Sequence, residues 1–310
     1  MNKADLTSAM HAPNPTPGLG GRMIGLALSS RPRQWPKNLL VLAALLFARE
    51  FHSGASVVTA VAATAIFTLA SAGLYILNDA FDAPRDREHP VKRHRPIAAG
   101  VVPVKLAVGA GIVISAVALA LAAALAWTFG AALAVYLGVQ IGYSLVLKHL
   151  VILDLLAIAI GFVIRAVAGA LVIEVPISPW LYICTFLLAL FLAVGKRWAE
   201  LNGDARTSAA RPVLDRYTAE FLRTLVVITA AATPLSYALY TFSAPNLPAN
   251  HLMMITIPIV LYGILRYVYL LQANGSGEEP ERVLLGDPGI LASVVVWVTV
   301  SWAILQFGGG

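Results

Sequence analysis

Residues 57–90 read VVTAVAATAIFTLASAGLYILNDAFDAPRDREHP, an apolar run that ends without a break in Asn78, Asp79, Asp82, Asp86 and Glu88. About 20 apolar residues in a helix span the roughly 30 Å hydrocarbon layer of a bilayer, so these acids stand where a membrane segment should end. If the helix continues, Asp79 and Asp82 are separated by i,i+3 and Asp86 returns near the same face at i+7. Crowded carboxylates repel and raise one another's pKa unless a cation offsets them, which points to a hard divalent metal. Mg2+ is the expected ion, because it keeps waters, accepts one or two carboxylates and takes further ligands from substrate phosphates. An acidic helix end that merely faces water is the alternative. Pro84 lies between Asp82 and Asp86 and predicts that the helix breaks there, delivering Asp86 from a loop. Asp79 and Asp82 are therefore the stronger ligand candidates.

The rest of the chain agrees with a membrane setting. Its 310 residues are 59% hydrophobic and only 12% charged, with a mean hydropathy of +0.78. That composition excludes an ordinary soluble protein and predicts an all-α, polytopic membrane protein. Cys184 is the sole cysteine, so no intrachain disulfide or thiolate metal site is available. Residues 1–30 are expected to form a disordered tail, the first 21 being polar, rich in Pro and Gly and without the apolar core of a signal peptide. Residues 31–310 are expected to form one transmembrane catalytic domain.

Nine apolar spans are predicted, at 36–51, 57–78, 105–127, 130–148, 151–173, 178–196, 220–242, 251–272 and 289–307. The formal charge of +6 is unevenly placed. Lys and Arg crowd the segment before the first span and the loops after the second and sixth, whereas the connections after spans three, five and seven carry none. The positive-inside rule then puts the N-terminus in the cytoplasm and the C-terminus outside. The two long loops, 79–104 and 197–219, lie on the cytoplasmic side, where the chemistry is expected. Gly161 and Gly169 are expected to allow close helix packing.

Further charged stretches follow the same face. In RPRQWPKNLL (31–40), Arg31, Arg33 and Lys37 read as inside anchors beside an interfacial Trp35, and Lys37 with Asn38 also suits a lipid phosphate headgroup. VKRHRPIAAG (91–100) places Lys92, Arg93, His94 and Arg95 close after the acids, as a metal-bound polyphosphate needs. YSLVLKHLVILD (143–154) holds Tyr143, Lys148 and Asp154 at the inner end of spans four and five. Arg165 lies eleven residues beyond Asp154, about 16 Å along a helix and so near mid-membrane. An arginine there costs about 2.5–3.5 kcal/mol or more and should face a polar cavity with a partner, on one stripe with Asp154. GKRWAELNGD (195–204) adds Lys196, Arg197, Glu200 and Asp204. The acids of GEEPERVLLGDP (277–288) read as a solvated loop.

NDxxDxxxD at the inner end of the second span, a Tyr-and-Lys exit from the fourth and a charged cluster after the sixth together resemble the UbiA superfamily of intramembrane prenyltransferases. More narrowly, RPRQWPKN, NDAFDAPRDREHPVKRHRPIAAG, the Tyr143–Asp154 stretch, GFVIRA and GKRWAEL are similar to its decaprenyl-phosphate phosphoribosyltransferase branch. Where prenyl-transferring members carry a second DxxxD motif, this chain has Lys196, Arg197, Glu200 and Asp204, which favours a smaller, more heavily phosphorylated donor. The resemblance implies a UbiA-like bundle of about nine helices with a cytoplasmic-side active-site cavity, in the bacterial inner (plasma) membrane. It implies transfer of 5-phosphoribosyl from 5-phosphoribosyl diphosphate to a polyprenyl (decaprenyl-type) phosphate, in cell-envelope arabinan precursor synthesis. Asn78, Asp79, Asp82 and Asp86 would hold Mg2+, and Asp79, Asp82, Lys148 and Arg165 would be catalytic. Lys37, Asn38, Lys92, Arg95, Tyr143, Asp154, Lys196, Arg197 and Glu200 would bind substrate. The expected partners are these two substrates and the membrane, with no nucleic acid and with homo-oligomerisation left open. A prenyltransferase acting on an aromatic or other lipophilic acceptor is the alternative. A transporter or channel fits less well, because the acids gather at one membrane face rather than deep within spans.

Overall fold

The computed structural model describes residues 18–48, 50–176, 179–202, 213–245, 247–274, 283 and 286–307. Regular structure among the described residues is helical, with no strand. Lipid demands this, because a helix satisfies its own backbone N–H and C=O groups where hydrocarbon offers no partner. The α-helices are α1 (Leu19–Ser29), α2 (Ala43–Phe47), α3 (Gly54–Glu88), α4 (Val104–Leu125), α5 (Trp127–Leu145), α6 (Leu153–Val172), α7 (Pro179–Asn202), α8 (Ala219–Ser243), α9 (Ile257–Asn274) and α10 (Pro288–Phe307). Among the described residues, eight stretches, matching α3 to α10, are long and apolar enough to cross a membrane. The remaining expected span, 36–51, is also helical, but a 3-10 helix, Pro32–Leu42, runs there into the short α2. Residues 19–29, expected to be disordered, form α1 instead; residues 1–17 lie outside the described residues.

Contacts divide the chain into two compact units, residues 1–32 with 71–115, and residues 33–70 with 116–310. In the first, Leu26 of α1 packs with Ile76, Ala80 and Ala83 of α3, Ala107 of α4, and Ile97 and Val102 of the loop between α3 and α4. That loop turns back on itself at Gly100, whose φ of +79° is one that glycine adopts at little cost. The Gly100 and Val102 amides donate to the carbonyls of Ile97 and Pro96, each at 3.2 Å. The 35 residues of α3 amount to about 52 Å, longer than the hydrocarbon layer, so its last turns project beyond it. Contrary to the expected break, α3 continues through Pro84. The proline removes only one hydrogen-bond donor, near a helix end that water can reach, and the helix itself therefore delivers Asp86.

In the second unit α6 packs against α5 and α7, α7 against α8, and α9 against α8 and α10. A Cβ at Gly169 would sit 1.9 Å from the Val41 carbonyl oxygen, so the backbone of the 3-10 helix lies directly on α6. At Gly161 it would meet the Gln140 amide at 2.8 Å. Both glycines thus serve the close packing expected of them. A buried cluster ties Leu155 of α6, Phe191 and Val194 of α7, Tyr217, Leu222 of α8, and Ile264 and Tyr267 of α9 together.

Candidate functional site

Three clusters of charged side chains stand out, one in the first unit and two in the second. In the first, Asp79 and Asp86 project from the emerging end of α3, and both are buried. Arg95, brought back by the turns over residues 89–95, donates to Asp86 at 2.7 Å and to Asp79 at 3.3 Å. Arg31, just past α1, forms a close ion pair with Asp79, and its guanidinium carbon lies 5.2 Å from the Tyr75 ring centre. Asp82 and Asn78 are half-buried on the same helix. Lys92 begins a 3-10 turn whose Val91 and Lys92 amides donate to the buried His89 ring, at 3.1 and 3.2 Å. Among the described residues no three His, Cys, Asp or Glu side chains gather as a closed metal cage would require. The oxygen donors of this helix face instead suit Mg2+, which takes one or two carboxylates and completes its shell with water and substrate phosphate.

The second cluster is built on Arg197 of α7, which is fully buried. Its Nε donates to Asp154 at 2.8 Å, its Nη1 to Glu200 at 2.8 Å and its Nη2 to the Tyr143 hydroxyl at 3.2 Å. Tyr217 donates its hydroxyl hydrogen to the other Asp154 oxygen at 2.7 Å and accepts from the Ile152 amide, also at 2.7 Å. Burial raises the Tyr217 pKa and the bond to Asp154 raises it further, so the phenol remains a donor at neutral pH. Ile152 adopts φ +70° and ψ −45°, a sparsely populated backbone region that costs a residue about 1–3 kcal/mol. Such strain persists only where surrounding contacts over-determine it, as these do.

Arg165 of α6 organises the third cluster and is 4% exposed. It donates to Asn38 Oδ1 at 2.9 Å, to the Gly161 carbonyl at 2.9 Å and to the Tyr136 hydroxyl at 2.7 Å. The Tyr136, Phe162 and Phe67 rings lie 4.7, 5.2 and 5.5 Å from its guanidinium carbon. Asn38 in turn donates to Thr68 at 3.2 Å. Asp154 and Arg165, expected on one stripe, therefore have separate partners. Three helical turns hold them apart, while Arg197 and Tyr217 reach Asp154 directly.

The structure thus groups Asp79, Asp86 and Arg95; Tyr143, Asp154, Arg197 and Glu200; and Asn38 and Arg165. Lys37, Lys148 and Lys196 are half-buried, and Asp204 lies outside the described residues. Glu278, Glu279 and Glu281 also lie outside them, whereas Asp287 pairs with Arg266 at 2.9 Å and accepts from the Ile290 amide at the start of α10. Arg31, Tyr136 and Tyr217 were not among the expected site residues. Arg31 reads as an anchor, and the two tyrosines sit in apolar or loop sequence with no local signal of a polar task.

These features define a polytopic, all-helical integral membrane protein with buried charge clusters. The profile of the UbiA prenyltransferase family matches residues 38–286, and the chain belongs to that family. It is 36% identical to the decaprenyl-phosphate phosphoribosyltransferase of Mycolicibacterium smegmatis, over 98% of this chain and 99% of the relative. It is likewise 36% identical to the enzyme of that name from Mycobacterium tuberculosis, over 92% of this chain and 95% of the relative. A UbiA homologue from Archaeoglobus fulgidus, solved bound to GPP and Mg2+, shares the fold with a TM-score of 0.69 and 19% identity, over 91% of this chain and 99% of its own.

Proposed function

We propose that this protein transfers 5-phosphoribosyl from 5-phosphoribosyl diphosphate to a polyprenyl phosphate and releases diphosphate. The observation that carries this reading is the 36% identity, over nearly the whole length, to relatives named decaprenyl-phosphate phosphoribosyltransferase. In the reaction the ribose C1–O bond breaks with its electron pair leaving on diphosphate, and an oxygen of the lipid phosphate forms the new bond to C1. The acceptor is already anionic at neutral pH, so no strong general base is needed. Catalysis rests on positioning and on cations set where negative charge leaves.

Asp79 and Asp82, with Asn78 and Asp86 as further oxygen donors, would hold Mg2+. When bound, the ion orients the diphosphate and offsets its charge. Lys92 and Arg95, in the same unit, cover phosphate oxygens that the metal leaves. In the second unit, Arg165 and Asn38, with Lys37, provide for the lipid phosphate, and Lys148 and Lys196 for the 5-phosphate. Asp154 and Tyr217 fix Arg197, which in turn holds Tyr143 and Glu200 for the ribose hydroxyls. The chain sits in the bacterial inner membrane with its N-terminus cytoplasmic and its C-terminus outside, a reading supported by the distribution of Lys and Arg.

Purified protein in detergent, with Mg2+, radiolabelled 5-phosphoribosyl diphosphate and a polyprenyl phosphate, should carry label into the organic phase, and Asp82→Ala should abolish it. One observation favours a second reading, prenyl transfer to a lipophilic acceptor: the archaeal protein of the same fold binds GPP with Mg2+. Turnover of a prenyl diphosphate, with no ribosyl transfer to acceptors of several chain lengths, would establish that reading instead.

A further inference from the structure

We propose that Arg31 and Arg95 are exchangeable counter-ions of the acid face. Without ligands they neutralise Asp79 and Asp86; when a divalent cation takes the carboxylates, the guanidinium groups pass to the diphosphate oxygens. The inference rests on the proposed binding of a metal and a diphosphate at this face.

The two sides of the ion pairs are unequally held. The Asp79 and Asp86 side chains are only 4% and 6% exposed, whereas those of Arg31 and Arg95 are 33% and 29% exposed. The acids are therefore fixed in the protein, and the arginines reach them from the solvent side on long, flexible stems. Asp79 Oδ1 accepts from both arginines, so the oxygen that a metal would use is already occupied by hydrogen-bond donors. A buried carboxylate is costly to leave without a counter-charge, and the guanidinium groups supply one until a metal does. Once displaced, a guanidinium is well shaped for a phosphate, which it binds through two parallel N–H donors.

The backbone at Arg31 is consistent with a placed residue rather than a loose anchor. Its φ is +53°, immediately before Pro32, a conformation that an L residue other than glycine rarely adopts. The Arg31 amide donates to the Leu28 carbonyl at 3.1 Å, closing the end of α1, and the Tyr75 ring offers the side chain a cation–π contact. The chain can thus move the guanidinium while the backbone stays where it is.

One substitution should then act in opposite directions on the two ligands. In full-length protein in detergent, Mn2+ binding without any phosphate ligand is read from the EPR signal of free Mn2+, and inorganic diphosphate binding in excess EDTA is read by calorimetry. Arg31→Gln removes a competitor for the carboxylates and a donor for the diphosphate. It should tighten Mn2+ about tenfold and weaken diphosphate about tenfold, the scale of one charge-assisted hydrogen bond. Arg31→Lys, which keeps the charge, should leave Mn2+ near the wild-type value. Arg95→Gln provides a second variant should Arg31→Gln fail to fold, and it should show the same opposed pair of shifts with a larger metal effect because Arg95 touches both acids. Shifts of the same sign for both ligands, or no shift in either, would overturn the exchange. Opposed shifts in a protein that transfers no phosphoribosyl label would leave the exchange standing and overturn the proposed reaction. Label transfer by the wild type with same-sign shifts in the variant would overturn the exchange alone.

Discussion

Arg165 and Arg197 lie on neighbouring helices of the second unit, both almost out of contact with water, and the protein treats them differently. Arg197 sits between the carboxylates of Asp154 and Glu200. Among the described residues Arg165 has no carboxylate within ion-pair reach; an amide oxygen, a backbone carbonyl, a phenol and three aromatic rings surround it. Its charge is solvated by dipoles but not cancelled. A buried cation kept in that state suits an anionic ligand better than one whose counter-ions are already built in. Arg197 is accordingly better suited to shaping its surroundings, with Tyr217 and Asp154 behind it, than to meeting phosphate directly.

The largest effect expected from this contrast belongs to Arg197→Met. It strands the fully buried Asp154 carboxylate and should cost about 3–5 kcal/mol of stability, seen as a lower thermal midpoint in detergent. Exchanging Asp154 for Leu in the same protein should recover much of that loss, since the carboxylate with no access to water is then removed and only the partly exposed Glu200 is left of the two acids.

Arg165→Met leaves only neutral partners behind. Its cost should be smaller, about 1–3 kcal/mol for hydrogen-bonding groups left unsatisfied, while the KM for the lipid phosphate should rise about tenfold. If Arg165→Met proved as destabilising as Arg197→Met and left that KM unchanged, the contrast between the two arginines would collapse.

The smallest effect comes from the half-buried pair of Arg266 and Asp287, which has similar hydrogen-bond geometry with less burial. Hydrogen bonding from Arg266, aided by the Ile290 amide, holds the Asp287 carboxyl below its ordinary pKa. A carboxylate lowered on folding stabilises above its unfolded pKa, and that contribution fades as pH falls through the folded value. The thermal midpoint of Asp287→Asn should therefore lie slightly below wild type at neutral pH and converge with it in acid below about pH 4. A gap that widened on acidification would mean that the carboxylate is not the stabilising form.

Much of the fold was legible in the chain because lipid imposes a rule that composition obeys: apolar runs of sufficient length become helices. The same rule misjudges the ends. Residues 19–29 look like tail because glycine and polar residues surround them, yet a glycine at position 25 lets α1 approach the loop so closely that an added Cβ would lie 2.6 Å from Val102. Pro84 reads as a break because propensity is local, while the continuation of α3 depends on the loop that Arg95 and Ile97 fold back upon it.

The sequence by itself determined the membrane class, the family, and the identity of the acids and most of the cations, because hydropathy and short motifs are properties of residues along the chain. Only the tertiary structure decided who pairs with whom. Asp154 joins Arg197 and Tyr217 rather than Arg165, Arg31 is an ion-pair partner of Asp79, and Tyr136 holds Arg165. Pairing depends on distances between segments 29 to 63 residues apart. Those distances are set by helix packing, turn geometry and the need to satisfy each buried charge, and no local pattern encodes them.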